Sequence, residues 1–418
     1  MNITRNPVVF VLSAVMLVWF LGSTVVRAES PAIDIPGLKM VSESDMNGHK
    51  VLRYEHSSME EWGYPVPQDD CFYVVPPLKT MAKPPLCVVL HSAGGSGNEA
   101  LPSICNPHDR GLYGDDTYCV LCLDCAKNKN DWWWGMEEIE RNPTLYRALL
   151  CPTEKRVLST VEWAIRTFDI DRNRVYLNGI SMGGSGSLGI GVNHGDVFAA
   201  VSVVVPAGVK HIEFRTKEQK IPDPPPLFDI SSHVDGWSLG QENLLKAFEE
   251  NQYPIAFAWG TFGHVADVHA AHPAVYEFPW LSIRKNETYP VFTHASTDQH
   301  YPGHKNETAP DQQGQINGYF RWKNIEDSEK RLVMELRLVK KEELKRPADI
   351  PGESVADITP RRLQQFVVRA GVEYSWFIKN GDQVLQSGHA SADAKGLLTV
   401  PAARISVTPV RLEITSER

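Results

Sequence analysis

The chain has 418 residues, of which 42% are hydrophobic and 22% are charged. This composition is ordinary for a globular protein, so it excludes wholesale disorder and collagen-like repeats, and the length favours two or three domains. The formal net charge is −9. Nucleic acid is therefore not expected as a partner, because nucleic-acid binding needs a basic surface.

The first residues predict export. Residues 8–26 are almost wholly apolar, and Val26 and Ala28 place small or apolar side chains at the −3 and −1 positions of a signal-peptidase site. We expect residues 1–28 to be a signal peptide, and the mature protein to be secreted or periplasmic without membrane contact. An uncleaved anchor is the alternative, because an apolar run of this length can just span a bilayer.

The cysteines are confined to one part of the chain. All seven lie between Cys71 and Cys151. In an oxidising compartment they allow up to three disulfides. Cys122 and Cys125 form a C-x-x-C pair, a pattern that can indicate zinc binding or redox chemistry. No second such pair and no close histidine pair accompanies it. We therefore expect structural disulfides or buried thiols, and no metal site.

The middle of the chain alternates between two patterns. Short apolar runs predict buried strands at 86–91, 117–123, 174–178, 198–205, 227–231 and 255–259, after two short strands at 50–54 and 71–75. Apolar or small residues at helical spacing predict helices over 153–168, 183–194 and 241–251. This alternation is typical of an α/β fold with a doubly wound, mostly parallel sheet.

The end of the chain differs from the middle. Strands without strong helices are predicted at 319–322, 331–339, 364–368, 373–378, 397–400 and 411–414. Residues 301–313 are polar and contain proline, which is typical of a linker. The sequence thus predicts a catalytic domain over 30–300, a linker over 301–313 and a β-sandwich-like domain over 314–418. We expect Lys340-Lys341 and Arg361-Arg362 to lie in solvent.

The strongest chemical signal is the segment Gly179-Ile180-Ser181-Met182-Gly183-Gly184. It follows a predicted strand and precedes a predicted helix, which is the setting that a nucleophile elbow requires. Small neighbours let the chain segments approach closely around a serine on a sharp turn. The positive end of the following helix faces the site where negative charge develops. We predict Ser181 as the nucleophile; a glycine-rich turn is the alternative.

A serine hydroxyl needs a base, and after such an elbow the acid and then the histidine follow along the chain. Asp235 lies in the loop at the carboxyl end of the predicted strand 227–231, whereas Asp229 lies within that strand. His264 follows the strand 255–259, and a glycine before it lets the loop turn back. We predict Asp235 and His264. The competitors are Asp229 for the acid, and the later histidines His269, His272 and His294 for the base.

An oxyanion hole would complete the site. One donor is expected to be the N–H of Met182, the residue after the nucleophile. The second is expected from the glycine-containing loop after the strand 86–91, and we nominate the N–H of Ala93. The alternative is a plain glycine turn at the end of a strand.

From about residue 70 to 270 the chain resembles secreted esterases of the polyhydroxybutyrate-depolymerase and feruloyl-esterase type, within the α/β-hydrolase superfamily. The resemblance lies in residues 88–95, 176–184, 227–237 and 262–264. It implies Ser181 as nucleophile, Asp235 as orienting acid, His264 as general base, and backbone donors at Ala93 and Met182. It also implies that no metal or organic cofactor is needed.

The chain departs from that family at one position of the predicted oxyanion loop. The family usually has His-Gly where this chain has His91-Ser92. Residues 275–418 match no part of the family's core.

Tryptophans are the main substrate signal. Trp132, Trp133 and Trp134 follow the predicted strand 117–123 and so fall on the catalytic face of the sheet. Exposed indole faces can stack on sugar rings or aromatic acyl groups, and a cradle for a polyester chain has the same pattern. Packing beneath the loop is the alternative. Together with Trp237, these residues are predicted to bind substrate.

The sequence therefore predicts a secreted serine carboxylesterase, acting on esterified polysaccharide or a related polymer through an acyl-enzyme. A serine peptidase of the prolyl-oligopeptidase type is one alternative, although too few residues precede Leu90 for the large propeller that this family usually carries. A catalytically inactive hydrolase scaffold used for binding is the other. The sequence makes no prediction of the oligomeric state.

Overall fold

A twisted, mostly parallel sheet forms the centre of the computed structural model, which describes residues 34–106, 110–135, 150–209, 223–264, 267–304 and 313–416. The described residues belong to one compact unit. The predicted signal peptide, 1–28, and most of the predicted linker lie outside the described residues.

The described residues contain eighteen strands and five α-helices. The first nine strands are β1 (Lys39–Met46), β2 (His49–Ser57), β3 (Asp69–Val75), β4 (Leu86–Leu90), β5 (Cys119–Leu123), β6 (Val175–Ile180), β7 (Ala200–Val204), β8 (Leu227–Ser232) and β9 (Ile255–Gly260). The others are β10 (Tyr289–Thr293), β11 (Gly314–Ile316), β12 (Phe320–Asp327), β13 (Arg331–Leu338), β14 (Glu353–Arg361), β15 (Glu373–Asn380), β16 (Gln383–Ser391), β17 (Val400–Ser406) and β18 (Val410–Ser416). The helices are α1 (Leu101–Ile104), α2 (Pro152–Thr167), α3 (Met182–Gly191), α4 (Gln241–Glu250) and α5 (Pro273–Tyr276).

The central sheet has ten strands in the order β1-β2-β3-β5-β4-β6-β7-β8-β9-β11. Strands β5, β4, β6, β7, β8 and β9 run parallel, and the outer strands pair antiparallel. The chain passes from β4 to β5 on one side and then to β6 on the other. The strand order therefore reverses beside β4, and the crevice at the carboxyl ends of β4 and β6 is the expected place for a ligand.

Both faces of this sheet are covered by apolar side chains. Helices α2, α3 and α4 pack on one face. Helices α2 and α4 carry their apolar residues on a single stripe, and α3 is built of small and apolar residues that are all buried. Helices α1 and α5 and the segment around Trp280 cover the other face. The predicted doubly wound, mostly parallel sheet is confirmed.

The remaining strands form two antiparallel sheets around a shared core. One sheet has the order β10-β14-β17 and the other β12-β13-β18-β15-β16. Side chains from both sheets, among them Phe292, Ile358, Leu336 and Ile414, make one buried cluster. The predicted β-sandwich-like part is therefore present.

Two strands pair with strands on the other side of the predicted boundary at 301–313. Strand β10 precedes that segment but pairs with β14 in the sandwich. Strand β11 follows it but pairs with β9 in the central sheet. The division into domains at 300 and 314 stays a prediction.

Several predicted features of the sandwich were wrong. Residues 364–368 form no strand, and β17 begins at Val400 rather than covering 397–400. Arg361 and Arg362 are both only 6% exposed. Arg361 pairs with Asp223 at 3.0 Å, and Arg362 donates to the carbonyl oxygens of Phe198 and Ala199. These guanidinium groups reach from β14 into the central sheet, which is why they are not solvated.

Candidate active site

Ser181 occupies a sharp turn between β6 and α3. Its φ of 56° and ψ of −119° lie outside the regions that non-glycine residues favour. A Cβ atom at Gly179 would overlap the backbone of Gly183, and one at Gly183 would overlap the carbonyl oxygen of Leu90 at the end of β4. The elbow predicted from the sequence is present, and the glycines allow it to press against β4.

The three predicted side chains meet at the carboxyl edge of the sheet. The Nε2 atom of His264 lies 2.7 Å from Ser181 Oγ, and its Nδ1 atom lies 2.7 Å from Asp235 Oδ2. They come from the loops after β6, β8 and β9. Parallel neighbouring strands end at the same edge, so residues 29 and 83 positions away from His264 reach it.

Asp235 is held as an ionised acceptor. Its side chain is 1% exposed. It accepts bonds from His264, from the Trp237 N–H at 3.0 Å and from Ser238 Oγ at 2.9 Å. Burial raises the pKa of Asp235, but these hydrogen bonds outweigh burial and leave the pKa below its usual value. A carboxylate only accepts, so the proton of the imidazole lies on Nδ1 and Nε2 is free to accept from Ser181.

The competing residues are engaged elsewhere. Asp229 is fully buried within β8 and accepts from Ser231 Oγ at 2.7 Å. His272 contacts Tyr319, and His269 packs on Tyr276. His294 pairs with Asp357 at 3.0 Å. Asp235 and His264 are thus the pair that the geometry selects.

The loop after β4 lies against the elbow. Ser92 Oγ donates to the carbonyl oxygen of Ile180 at 3.1 Å. The Gly95 N–H donates to Ser92 O at 3.1 Å and closes a turn, in which Gly94 has a φ of 79°. Within the described residues, neither the N–H of Ala93 nor that of Met182 has an acceptor. Both nominated donors are therefore available.

The position of this loop depends on side chains that the sequence analysis missed. His91 Nε2 accepts the Cys125 N–H at 2.9 Å, so Nδ1 carries the proton and donates to Ser92 O at 2.8 Å. Glu99 accepts the Ser92 N–H at 2.9 Å.

The strand next to β4 holds the other end of the loop. Asp124, directly after β5, accepts the Gly97 N–H at 2.8 Å. Arg156 of α2 donates to the Asp124 carbonyl oxygen at 2.7 Å and pairs with Asp70 at 3.1 Å. Asp124 could have been found from the sequence, because it directly follows the predicted strand 117–123, and residues at the end of a strand beside the predicted oxyanion loop are candidates to hold that loop.

Two of the predicted substrate-binding tryptophans lie in the core. Trp133 and Trp134 are 0% and 1% exposed. Trp133 Nε1 donates to His91 O and Trp134 Nε1 to Ser185 Oγ, each at 3.3 Å. A buried indole has no face to offer a substrate, so packing beneath the loop replaces substrate binding for both. They support the elbow helix α3 and the loop after β4 from below.

The other two tryptophans are accessible. Trp132 is partly buried, whereas Trp237, two residues after Asp235, is 60% exposed. Val234 and Leu239 on the same loop are exposed as well. An apolar surface thus borders Asp235.

The described residues offer no metal site beside these side chains. They contain no group of three or more His, Cys, Asp or Glu side chains placed to hold a metal ion. Six of the seven cysteines are buried, and burial raises the pKa of the Cys119 thiol to about 12. Among the helices of the described part, none is both long and apolar enough to cross a membrane.

No protein-family model and no curated protein matches the sequence. Solved structures similar to the chain include hydrolases and esterases. One is an S-formylglutathione hydrolase from Agrobacterium tumefaciens, at 13% identity, a TM-score of 0.40, and coverage of 54% of this chain and 92% of that one. A ferulic acid esterase from Anaeromyces mucronatus has 13% identity, a TM-score of 0.37, and coverage of 62% and 94%. An acetyl xylan esterase from Aspergillus awamori has 13% identity, a TM-score of 0.35, and coverage of 51% and 93%.

The chain's own topology identifies the fold. Six parallel strands have antiparallel strands outside them, and the strand order reverses beside β4. Ser181 follows β6 on a sharp turn, and Asp235 and His264 follow β8 and β9. This arrangement is the α/β-hydrolase fold.

Proposed function

We propose that this chain is a secreted serine carboxylesterase that acts through an acyl-enzyme on esterified polysaccharide or a related polymer. One observation carries the proposal, which is the unbroken chain of hydrogen bonds from Ser181 Oγ through His264 to Asp235, with both distances 2.7 Å. Nucleophile, base and orienting acid in this relation are what nucleophilic catalysis by serine requires.

In the first step His264 Nε2 takes the proton of Ser181 as Oγ attacks the ester carbonyl carbon. The imidazolium that forms is stabilised by the carboxylate of Asp235. The tetrahedral intermediate carries a negative oxygen, for which the N–H groups of Ala93 and Met182 are the proposed donors. Each well-aimed donor contributes roughly 2.7–4 kcal/mol to lowering the barrier.

The intermediate then collapses. The bond between the carbonyl carbon and the alcohol oxygen breaks, the alcohol leaves with the proton from His264 Nε2, and an acyl-Ser181 ester remains. Water repeats the sequence, giving its proton to His264 as it attacks, and the acid product leaves as Ser181 regains its proton. Every proton passes through one nitrogen, so the reaction needs no further titrating group.

The surroundings of the triad support a large substrate. Trp237, Val234 and Leu239 present exposed apolar surface beside Asp235. An exposed indole can stack on a sugar ring or an aromatic acyl group, and such a surface also suits a polyester chain. We assign substrate contact to Trp237 and Trp132. Export rests on the predicted signal peptide at 1–28.

The test is Ser181→Ala against Ser187→Ala, a buried serine six residues further on, within α3. Ser181→Ala should lower kcat/KM for p-nitrophenyl acetate by about 10⁴-fold or more and abolish labelling by a fluorophosphonate, with an unchanged circular dichroism spectrum. Ser187→Ala should be labelled as the wild type is.

Three outcomes would contradict the proposal. Labelling of Ser181→Ala by the fluorophosphonate would mean that Ser181 is not the nucleophile. A wild-type protein that is not labelled would favour the inactive scaffold. Turnover of prolyl peptides in preference to esters would favour the peptidase.

A further inference from the structure

A second concave site lies where the sandwich meets the central sheet. A cavity of about 350 Å³ is bounded by β12 and by residues 278–289, which lead into β10. Ser181, Asp235, His264 and the loop after β4 contribute nothing to its walls. Whatever it binds is therefore bound separately from the ester.

Arg321, in the wall of this cavity, is a buried charge with no carboxylate at ion-pair distance among the described residues, and Glu343 acts on it only from further away. The residue is 7% exposed. Its guanidinium donates to the carbonyl oxygens of Gly318, Phe320 and Ala274 and lies 4.3 Å from the centre of the Phe278 ring. Within the described part of the chain, no carboxylate lies within 4.0 Å of it. Buried guanidinium groups are normally paired, because desolvating an unpaired charge is costly.

Burial lowers the pKa of Arg321 to about 9, so the group still carries its charge at neutral pH. The carbonyl oxygens satisfy its N–H groups but supply no negative charge. An anionic group in the cavity would supply the missing charge.

Other cations line the same cavity. Lys323 is exposed and, among the described residues, has no carboxylate partner. Arg337 is held by Glu343 at 2.9 Å and Arg284 by Asp171 at 2.8 Å. The one carboxylate of the lining is Glu287. In a chain of net charge −9, a wall with four cations and one carboxylate is unusual, and it again favours an anion.

The rest of the wall fits a polar ring better than a bare ion. Trp322 is partly buried, and its ring lies 5.4 Å from that of Phe278. Asn324 Oδ1 is buried and, within the described residues, accepts no hydrogen bond. An aromatic surface and an unused acceptor suit the faces and hydroxyl groups of a sugar.

We propose that this cavity is a second binding site for a hexuronic acid unit, with the carboxylate between Arg321 and Lys323 and a hydroxyl group donating to Asn324. This goes beyond the proposed ester hydrolysis and does not depend on it. A protein that carries both sites would hold an acidic polysaccharide at a point separate from the bond that it cleaves.

The test is calorimetric titration of the full chain with galacturonate, galactose and acetate, using wild type, Lys323→Glu and Arg321→Met. Lys330→Glu is the matched control, since Lys330 is exposed in the turn before β13 and outside the cavity. Galacturonate should bind at one site, and Lys323→Glu should weaken its binding by about tenfold or more, as expected for the loss of a charge-assisted contact. Lys330→Glu should bind as the wild type does, and Lys323→Glu should hydrolyse p-nitrophenyl acetate at the wild-type rate.

Four results would overturn the proposal. Acetate binding as tightly as galacturonate would mean an anion site without sugar recognition, and galactose binding as tightly would remove the charge argument. Absence of galacturonate binding would also overturn the proposal. So would equal weakening of galacturonate binding in Lys323→Glu and Lys330→Glu. Arg321→Met should also weaken binding; because it is buried, its folding is checked first, and Lys323→Glu decides the matter if it does not fold.

Discussion

Asp229 should make the protein less stable as the pH rises towards neutrality. It is fully buried in β8, beneath helix α4 and three residues before the end of the strand. Ser231 Oγ donates to one carboxyl oxygen and in turn accepts from Gln241 at 2.8 Å. The other oxygen, Oδ2, is buried and has no partner within the described residues, and the same holds for Gln241 Oε1. A proton on Oδ2 would turn one of these two acceptors into a donor.

The size of the effect follows from the pKa. Burial raises the pKa of Asp229 to about 7, against the hydrogen bond from Ser231 and the nearby Gln241 amide, which lower it. In the unfolded chain the pKa is about 3.9. Between these values the unfolded chain has released the proton and the folded protein keeps it, so each unit of pH lowers the free energy of unfolding by about 1.4 kcal/mol. The loss begins near pH 4, ends near pH 7, and amounts to at most about 4 kcal/mol.

The variant Asp229→Asn keeps the shape of the side chain and cannot ionise. Its free energy of unfolding, minus that of the wild type, should rise steadily from pH 4 to pH 7 and then level off. Urea unfolding followed by tryptophan fluorescence at pH 4.5, 5.5, 6.5 and 7.5 measures this difference, and the histidines shared by both proteins cancel in it. Asp382→Asn, in the exposed β15–β16 turn, is the control. A difference that does not change with pH would refute the reasoning, because it would mean that Asp229 is already ionised at pH 4.

Two further substitutions test the site and its support. Asp235→Asn should lower kcat by about 10⁴-fold with little change in KM, because an amide in place of the carboxylate favours the wrong tautomer of His264; an unchanged kcat in ester hydrolysis would contradict the assignment. Gly186→Ala within α3 should destabilise the protein by about 1–3 kcal/mol in urea unfolding, because the new Cβ would lie 2.6 Å from the Trp133 side chain, although alanine normally stabilises a helix. Gly352→Ala, with no atom within 4 Å, is its control, and equal stability of the two variants would speak against tight packing at Trp133.

The parallel sheet and the three proposed catalytic residues were predictable because their signals are local. Each buried strand is a short apolar run, and each proposed residue follows one of them. Ser181 has glycines on both sides, and His264 follows a glycine. Once the strands are assigned as parallel and adjacent, their carboxyl ends lie at one edge. No long-range information is then needed to bring Ser181, Asp235 and His264 together.

The support of the site could not be predicted, because it depends on contacts between distant segments. Nothing near Trp133 in the sequence says that Gly186, more than fifty positions later, leaves room for its indole. His91 was visible as part of a loop, but its bond to the Cys125 N–H requires the register of β4 against β5. The three tryptophans have the same sequence pattern whether they are exposed or buried. Burial of two of them follows from the small residues of α3, which the sequence does not pair with them.

The boundary of the sandwich could not be predicted for a different reason, which is that chain order does not follow the division between the two parts. Strand β10 precedes the polar segment that predicts a linker, yet it pairs with β14 of the sandwich. Strand β11 follows that segment, yet it pairs with β9 of the central sheet. Arg361, at the end of β14, then reaches Asp223 and the carbonyl oxygens of Asn251 and Gln252. A cut at the predicted linker would leave both sheets without a strand, and Arg361 without its partners. The proposed catalytic part and the sandwich are therefore expected to unfold together, and the hexuronate cavity, whose walls come from both, exists only when they are joined.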